Sequence, residues 1–183
     1  MSDSKKLVGS RVKRSEDPRL LTGFGSFVDD KQIPGMLHVA FRRSDTPHAK
    51  IISIDTVQAL AIKGVVAIYT AQDLESLVKP IHAVSKMANY HSTAIYPLAR
   101  EKVRFVGEAV VAVIAHSRYI AEDALEQIQI DYESLDNIVD PYAAAESTSP
   151  LLHEVAGTNI LIQREFRRGD IDAVMAEAPV KVS

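Results

Sequence analysis

The chain has 183 residues, of which 46% are hydrophobic and 25% charged, with a formal net charge of -3. This balance is typical of a soluble globular protein with its own core, and it excludes the strongly basic surface of a nucleic-acid-binding domain. The absence of cysteine excludes disulfides, a thiol nucleophile, and any zinc or iron–sulfur centre held by cysteines of this chain.

Hydropathy predicts no membrane segment and no secretory signal. Residues 1–10 contain no apolar run of the kind that a signal peptide needs. The longest apolar stretch, Ala109–Ala115, is far shorter than the roughly 20 residues that cross a bilayer. We therefore expect a cytoplasmic protein with no membrane span.

Residues 1–35 are polar and rich in turn formers, which predicts an extended N-terminal arm with several turns. The arm has too few apolar residues for a core, so it has to pack on something else. A solvated arm and an arm that docks on another domain or subunit both fit this pattern. Its candidate interface residues are Arg14, Arg19, Leu20, Phe24 and Phe27.

Residues 36–140 alternate between strand and helix patterns. The predicted strands are Met36–Arg42, Lys50–Asp55, Val65–Thr70, Lys102–Val106, Ala109–Ala115, Gln129–Tyr132 and Leu135–Val139. The predicted helices are Thr56–Ile62, Ala71–Leu77 and Arg118–Gln127. We therefore predict a mixed α/β fold, a layer of mixed β-sheet with short helices.

Burial can also be predicted for two of these strands. Alternation in the first strand puts Leu37, Val39 and Phe41 on one face, which indicates a half-buried strand. The unbroken apolar run Ala109–Ala115 indicates a strand that is covered on both faces.

Two segments of this region lack a clear period. Residues 79–100 contain two prolines and two histidines and are predicted to form a long loop. Gly107 and Glu108 lie between two strands, where a hairpin turn is the simpler interpretation. A glutamate in that turn could also line a channel, and we keep both residues as interface candidates.

Residues 141–183 differ from the rest. They contain a short helical turn at Ala143–Glu146, an extended segment at Asn159–Arg167 and a helix at Ile171–Ala178. Val180–Ser183 has the composition of the beginning of a strand. We expect a linker followed by the opening of a further region that is cut short.

Motifs of known chemistry are weak in this sequence. Gly23-Phe24-Gly25 lacks the strand before it and the helix after it that a phosphate-binding loop requires, so it is read as a turn. His82 and His91 share the irregular loop, but without a third ligand pattern they are more simply loop histidines than metal ligands. We predict no catalytic, cofactor-binding or metal-binding residue.

Several segments together resemble one protein family. They are Arg14–Asp30, Arg43-Ser44, His48–Ile51, Ile54-Asp55, Gly64–Thr70, Asp73-Leu74, Pro97–Ala99, Val103–Val110, Ala121–Ala124, Asp131–Glu133 and Gly169-Asp170. In this order and spacing they resemble the opening of large subunits in the xanthine dehydrogenase, aldehyde oxidase and aerobic carbon monoxide dehydrogenase group. The resemblance covers nearly the whole chain and implies the α/β hammerhead domain of that group.

The resemblance implies a molybdenum hydroxylase whose chemistry lies outside this segment. The full-length subunit would bind molybdopterin, and partner subunits would carry iron–sulfur clusters and FAD. The expected partners are the molybdopterin-binding domains that follow in such subunits, those electron-transfer subunits, and a second copy of the chain. No nucleic acid is expected.

Two other interpretations stay open. The chain could be an independent binding or interaction module that keeps the fold without a cofactor. It could also be a small enzyme of another class that uses the loop at residues 79–100. An exposed apolar face, where further domains would pack, would favour a segment of a molybdenum hydroxylase over both of these alternatives.

Overall fold

The computed structural model describes residues 7–166 and 168–182, and contacts divide the chain after Met36 into two compact units. The described part of the first unit contains helix α1 (Asp17–Leu21) and a 3-10 turn at Val28–Asp30. The strands of the second unit are β1 (His38–Arg43), β2 (Ala49–Asp55), β3 (Val65–Tyr69), β4 (Ile81–His82), β5 (Ala94–Ile95), β6 (Lys102–Val103), β7 (Ala109–Ala115) and β8 (Gln129–Ser134). Its helices are α2 (Val57–Leu60), α3 (Ala71–Leu74), α4 (Arg118–Glu126), α5 (Pro141–Ala144) and α6 (Ile171–Glu177), with a 3-10 turn at Glu154–Ala156.

Three strands form the first sheet, which we call sheet A, in the order β1–β7–β3. Both pairings are antiparallel, and Val113 at the centre of β7 lies opposite Ala40 of β1 and Ile68 of β3. The β-branched residues that fill β7 favour the extended backbone and pack well on a pleated surface.

Helix α4 packs on one face of sheet A. Ser117 begins the helix, and its hydroxyl accepts a hydrogen bond from the Ile120 amide at 3.2 Å. Ala121 and Ala124 are fully buried in the same core as Val113 of β7. Because alanine side chains are small, the helix backbone can approach the sheet closely.

The second sheet, sheet B, has the order β6–β2–β8, and both of its pairings are antiparallel. Its inward-facing residues, including Ala49 and Val103, belong to the same core cluster as α4 and β7. One continuous core therefore joins both sheets and α4.

The mixed α/β fold predicted from the sequence is confirmed, and the strand pairs described above are antiparallel. Strand β7 has the predicted bounds, and α4 differs from its prediction by one residue. The strand predicted at Leu135–Val139 is wrong, because those residues follow the last pair of β8 without regular structure. The loop predicted at residues 79–100 contains a small hairpin in which Ile81 of β4 pairs with Ile95 of β5.

The prediction of an extended conformation for the arm is wrong at Asp17–Leu21, where the structure has helix α1. Pro18 lies in the first turn, where a missing amide costs no hydrogen bond. The Thr22 hydroxyl donates to the Pro18 carbonyl at 2.7 Å and closes the other end of the helix. These local contacts, rather than an apolar stripe, account for the helix.

The C-terminal predictions had mixed outcomes. Helix α6 is present, with the Asp170 carboxylate accepting from the Ala173 amide at 3.1 Å. Residues 159–166 are irregular, and residues 180–182 form no strand. The predictions for Arg167 and Ser183, and for residues 1–6 of the arm, fall outside the described residues.

Across the described part of the chain, every helix falls short of the length and apolarity that a bilayer crossing needs.

Candidate docking surface

The face of sheet A opposite α4 is apolar and open. Strand register places six side chains on it, and we call this set the open face: Val39 and Phe41 of β1, Ala67 and Tyr69 of β3, and Ala112 and Ile114 of β7. Val39 is 52% exposed and Phe41 is 41% exposed, whereas the other four are partly buried. A contiguous apolar patch of this kind is a common mark of a protein interface.

The open face overturns two burial predictions. Val39 and Phe41 were expected on the buried side of their strand, but their partners Ile114 and Ala112 lie on the uncovered side of β7. Strand β7 was expected to be covered on both faces, yet Ala112 and Ile114 keep partial exposure. Helix α4 therefore covers one face of these strands, and the other face remains exposed although it is also apolar.

The outer face of sheet B provides an internal comparison, because it is polar and its groups are paired. Lys50 lies 3.2 Å from the Glu133 carboxylate across the β2–β8 pair. The Ser53 hydroxyl donates to the Asp131 carboxylate at 2.6 Å. This is the pattern of a sheet face that stays in water. Of the two three-stranded sheets, sheet A is the one whose open face is apolar.

Gly107 and Glu108 form a turn that is tied to the end of β1. The Gly107 amide donates to the Ser44 carbonyl at 2.7 Å, and the Ser44 amide donates to the Glu108 carbonyl at 2.9 Å. The Arg43 guanidinium donates to the Gly107 carbonyl at 2.9 Å. Gly107 has φ +95°, a left-handed conformation that favours glycine.

The Glu108 side chain points into this turn. Its carboxylate accepts from the Arg104 amide at 2.5 Å, and the side chain is only 18% exposed. The nearby Tyr132 phenol has its pKa raised, chiefly by burial. Glu108 therefore holds the turn together, and its role as an interface residue stays a prediction.

The two arginines of the arm that were predicted as interface residues, Arg14 and Arg19, form ion pairs with acidic residues of the arm itself. Arg19 lies 2.5 Å from the Glu16 carboxylate, and Arg14 lies 3.7 Å from Asp17. Exposed pairs of this kind contribute about 0–1 kcal/mol and leave the side chains free to exchange partners. Their participation in an interface stays a prediction.

The apolar candidates of the arm differ in exposure. Phe24 is 78% exposed and Phe27 is 68% exposed, whereas Leu20 is partly buried. Leu20 packs against Gly25, where an added Cβ would meet its Cδ2 at 2.9 Å. Gly23 lies in the turn that follows α1, and no α-helix begins after Gly25 within the described arm. The arm thus presents two exposed aromatic rings.

Segment 141–160 is attached to β6 by polar contacts that the sequence analysis did not find. The Lys102 ammonium, largely buried, pairs with Glu154. The Arg104 guanidinium donates to the Leu152 carbonyl at 3.1 Å. Asn159 accepts from the Leu152 amide at 3.0 Å and donates to the Pro150 carbonyl at 2.9 Å. Contacts between residues about 50 positions apart leave no periodic signal in a sequence.

The loop histidines do not converge on a site. His82 lies in the small β4–β5 hairpin, and the His91 amide donates to the Leu161 carbonyl at 2.9 Å. In residues 7–166 and 168–182, no cluster of three or more potential metal-ligating side chains is found. Among the described residues, the open face is therefore the candidate site for which the structure gives positive evidence.

Comparison with known proteins identifies a family match. A family model described as "Aldehyde oxidase and xanthine dehydrogenase, a/b hammerhead domain" matches residues 22–136. The chain is 44% identical over 147 residues to the carbon monoxide dehydrogenase large chain of Afipia carboxidovorans, covering 80% of this chain and 18% of that one. It is 35% identical over 180 residues to the nicotine 6-hydroxylase large subunit of Paenarthrobacter nicotinovorans, covering 98% of this chain and 22% of that one.

Solved structures agree with these sequence matches. Quinoline 2-oxidoreductase from Pseudomonas putida 86 superposes with a TM-score of 0.83 at 37% identity, covering 94% of this chain and 22% of that one. The chain spans about a fifth of the length of the curated relatives named here.

Proposed function

The chain belongs to the aldehyde oxidase and xanthine dehydrogenase family and contains its α/β hammerhead domain, and on this premise we propose that it is a scaffold and docking segment of a molybdenum hydroxylase large subunit. The proposed whole enzyme is an oxidoreductase, and this segment is inactive by itself. The open face is the observation that carries the proposal, because an apolar sheet face requires a partner surface.

We propose that the open face packs against the other domains of such a large subunit. Relatives that match this chain continue for several times its length, so they contain the polypeptide that such packing needs. Burying Val39 and Phe41 would stabilise the assembly by about 1–3 kcal/mol for each side chain that becomes fully covered.

The residues of this segment do not fit a molybdenum cofactor. The described residues contain no cluster of three metal-ligating side chains, and the open face offers a charged cofactor no cationic side chain and a single hydroxyl, that of Tyr69. We therefore assign molybdopterin to the rest of the proposed subunit and derive no chemical step here.

Iron–sulfur and flavin subunits are the proposed partners of the whole enzyme, which we place in the cytoplasm. The exposed rings of Phe24 and Phe27, with Arg14 and Arg19 beside them, suit a docking arm because aromatic residues and arginine are enriched in interfaces. Leu20, Gly107 and Glu108 complete the set of proposed interface residues. A second copy of the chain is a further candidate partner.

A chimeric large subunit tests this proposal. The matching segment of the carbon monoxide dehydrogenase large chain would be replaced by this chain, and assembly and bound molybdenum would be measured by chromatography and elemental analysis. We expect the chimera to assemble and retain molybdenum. Adding Phe41→Asp and Ile114→Asp should prevent assembly, because two carboxylates would be buried without partners.

Matched controls separate docking from folding. Ile52→Asp changes an exposed apolar residue of β2 outside the open face and should leave assembly intact. Circular dichroism of the isolated chain carrying the paired aspartates should show the fold retained. Assembly of the paired variant at the level of the unmodified chimera, or molybdenum bound by this chain alone, would contradict the proposal.

A further inference from the structure

A cavity of about 200 Å³ lies in the second unit, and its lining includes none of the open-face residues. Its wall is formed by the end of α3 with the residues that follow it, and by the segment from Tyr96 to Arg100. Its apolar lining includes Leu74, Val78 and Leu98, and Leu98 is only 2% exposed. One buried leucine and two partly exposed apolar side chains therefore form an apolar wall of the cavity.

The rim of the cavity is organised by Arg100. Its guanidinium pairs with the Glu75 carboxylate and lies over the Tyr96 ring, 5.0 Å from the ring centroid. The Arg100 pKa is raised, chiefly by its contact with the Tyr96 hydroxyl. Glu75 and Arg100 thus neutralise each other and hold one side of the rim in place.

Lys79 supplies the remaining charge on the rim. Among the residues that the structure describes, its ammonium forms no ion pair. Since Glu75 is already paired with Arg100, the cavity carries one uncompensated positive charge at its edge. Lys79 is exposed, so an anion bound to it would keep part of its hydration and avoid the cost of full burial.

Size and charge together define a class of ligand. An apolar cavity of about 150 Å³ is known to hold a benzene ring, so this one has room for a ring with one small substituent. We propose that the cavity binds a small monocarboxylate with a compact apolar body. The apolar body contacts Leu98, Leu74 and Val78, and the carboxylate pairs with Lys79.

Titration of the isotope-labelled chain with benzoate tests this site by chemical shift perturbation. Benzoate should shift the amides of residues 71–80 and 96–100 and bind several-fold more tightly than benzyl alcohol, which has the ring without the charge. Lys79→Gln should weaken benzoate binding by about threefold and leave benzyl alcohol unchanged, because one exposed charge pair is lost. Lys63→Gln, an exposed lysine outside the cavity, is the matched control.

Filling the cavity gives an independent test. Val78 is partly exposed, so Val78→Trp should block the cavity without disturbing the core, and benzoate affinity should fall by more than tenfold. Shifts elsewhere in the chain, no binding at 10 mM benzoate, or equal affinity for benzoate and benzyl alcohol would each overturn the proposal. Equal benzoate affinity of the chain and Lys79→Gln would overturn it as well.

Discussion

The Glu108 carboxylate accepts a hydrogen bond from the backbone amide of Arg104 at 2.5 Å, across the turn that leads into β7. The Arg104 guanidinium lies 3.9 Å from the same carboxylate, so charge and hydrogen bonding act together. A charge-assisted bond to a backbone amide is stronger than a neutral one, particularly for a largely buried carboxylate. This contact closes the turn between Arg104 and Glu108.

Glu108→Ala should therefore destabilise the chain by about 1–3 kcal/mol, because the Arg104 amide loses its partner. Glu108→Gln keeps an acceptor and should cost less than Glu108→Ala. Urea unfolding followed by circular dichroism would measure both. Glu122→Ala, which removes an exposed carboxylate of α4, is the control and should have little effect. Equal stability of Glu108→Ala and the control would show that the contact does not hold the turn.

Gly64 and Gly107 form a matched pair for a second prediction. Both have positive φ, +99° and +95°, but only Gly64 faces a neighbour, since an added Cβ would lie 2.8 Å from Cδ1 of Ile120. Gly107→Ala should cost about 1–2 kcal/mol from backbone strain alone. Gly64→Ala should cost about 1–3 kcal/mol more, because the methyl group overpacks the contact with α4.

A double-mutant cycle identifies the source of that extra cost. Ile120→Val removes the Cδ1 atom that the new methyl group would meet, so Gly64→Ala should be less destabilising in the Ile120→Val background than in the original chain. Thermal or urea unfolding of the four proteins gives the coupling energy. Strict additivity would show that strain, rather than contact with Ile120, accounts for the loss.

Local patterns in the sequence were enough for the elements with strong periodicity. The N-cap Ser117 and the apolar stripe of α4 were visible, and the valine-rich run of β7 gave its bounds. Helix α1 was missed because it is five residues long and owes its ends to Pro18 and Thr22 rather than to an apolar stripe.

Burial could not be predicted in the same way, because it depends on what packs over a strand. An apolar run such as β7 looks the same whether its second face is covered by its own chain or by a partner. The alternation correctly predicted that Val39 and Phe41 share one face of β1. Their pairing with Ile114 and Ala112 places that face on the open side of sheet A. The Lys102–Glu154 pair likewise depends on the tertiary fold and has no local signature.

Acidification should loosen segment 141–160. The pKa of His153 is lowered by burial first and then by the charges of Arg104 and Lys102, with Glu154 opposing them. The pKa of Glu154 is also lowered, chiefly by its hydrogen bond to Lys102. Both groups bind protons more readily in the unfolded chain, so stability should fall as pH drops below the ordinary histidine value and further as it approaches the glutamate range.

Urea unfolding at pH 7 and pH 5.5 measures the histidine part of this effect. His153→Gln should reduce the loss of stability between the two pH values, since the side chain that gains a proton on unfolding is removed. His116→Gln, at an exposed histidine outside this segment, is the matched control. If His153→Gln and the original chain lose equal stability, desolvation of His153 does not control the segment.

The isolated chain should self-associate through the open face. Val39, Phe41 and Ile114 present apolar surface that water solvates poorly, and burying it against a second copy is favourable by about 25 cal/mol for each Å² removed from water. Phe41→Asp should shift the chain toward the monomer in sedimentation velocity runs and reduce binding of an apolar dye. Ile52→Asp should change neither result. A monomeric original chain that binds no dye would mean that the open face is covered in solution, and the docking role assigned to it would then lose its physical basis.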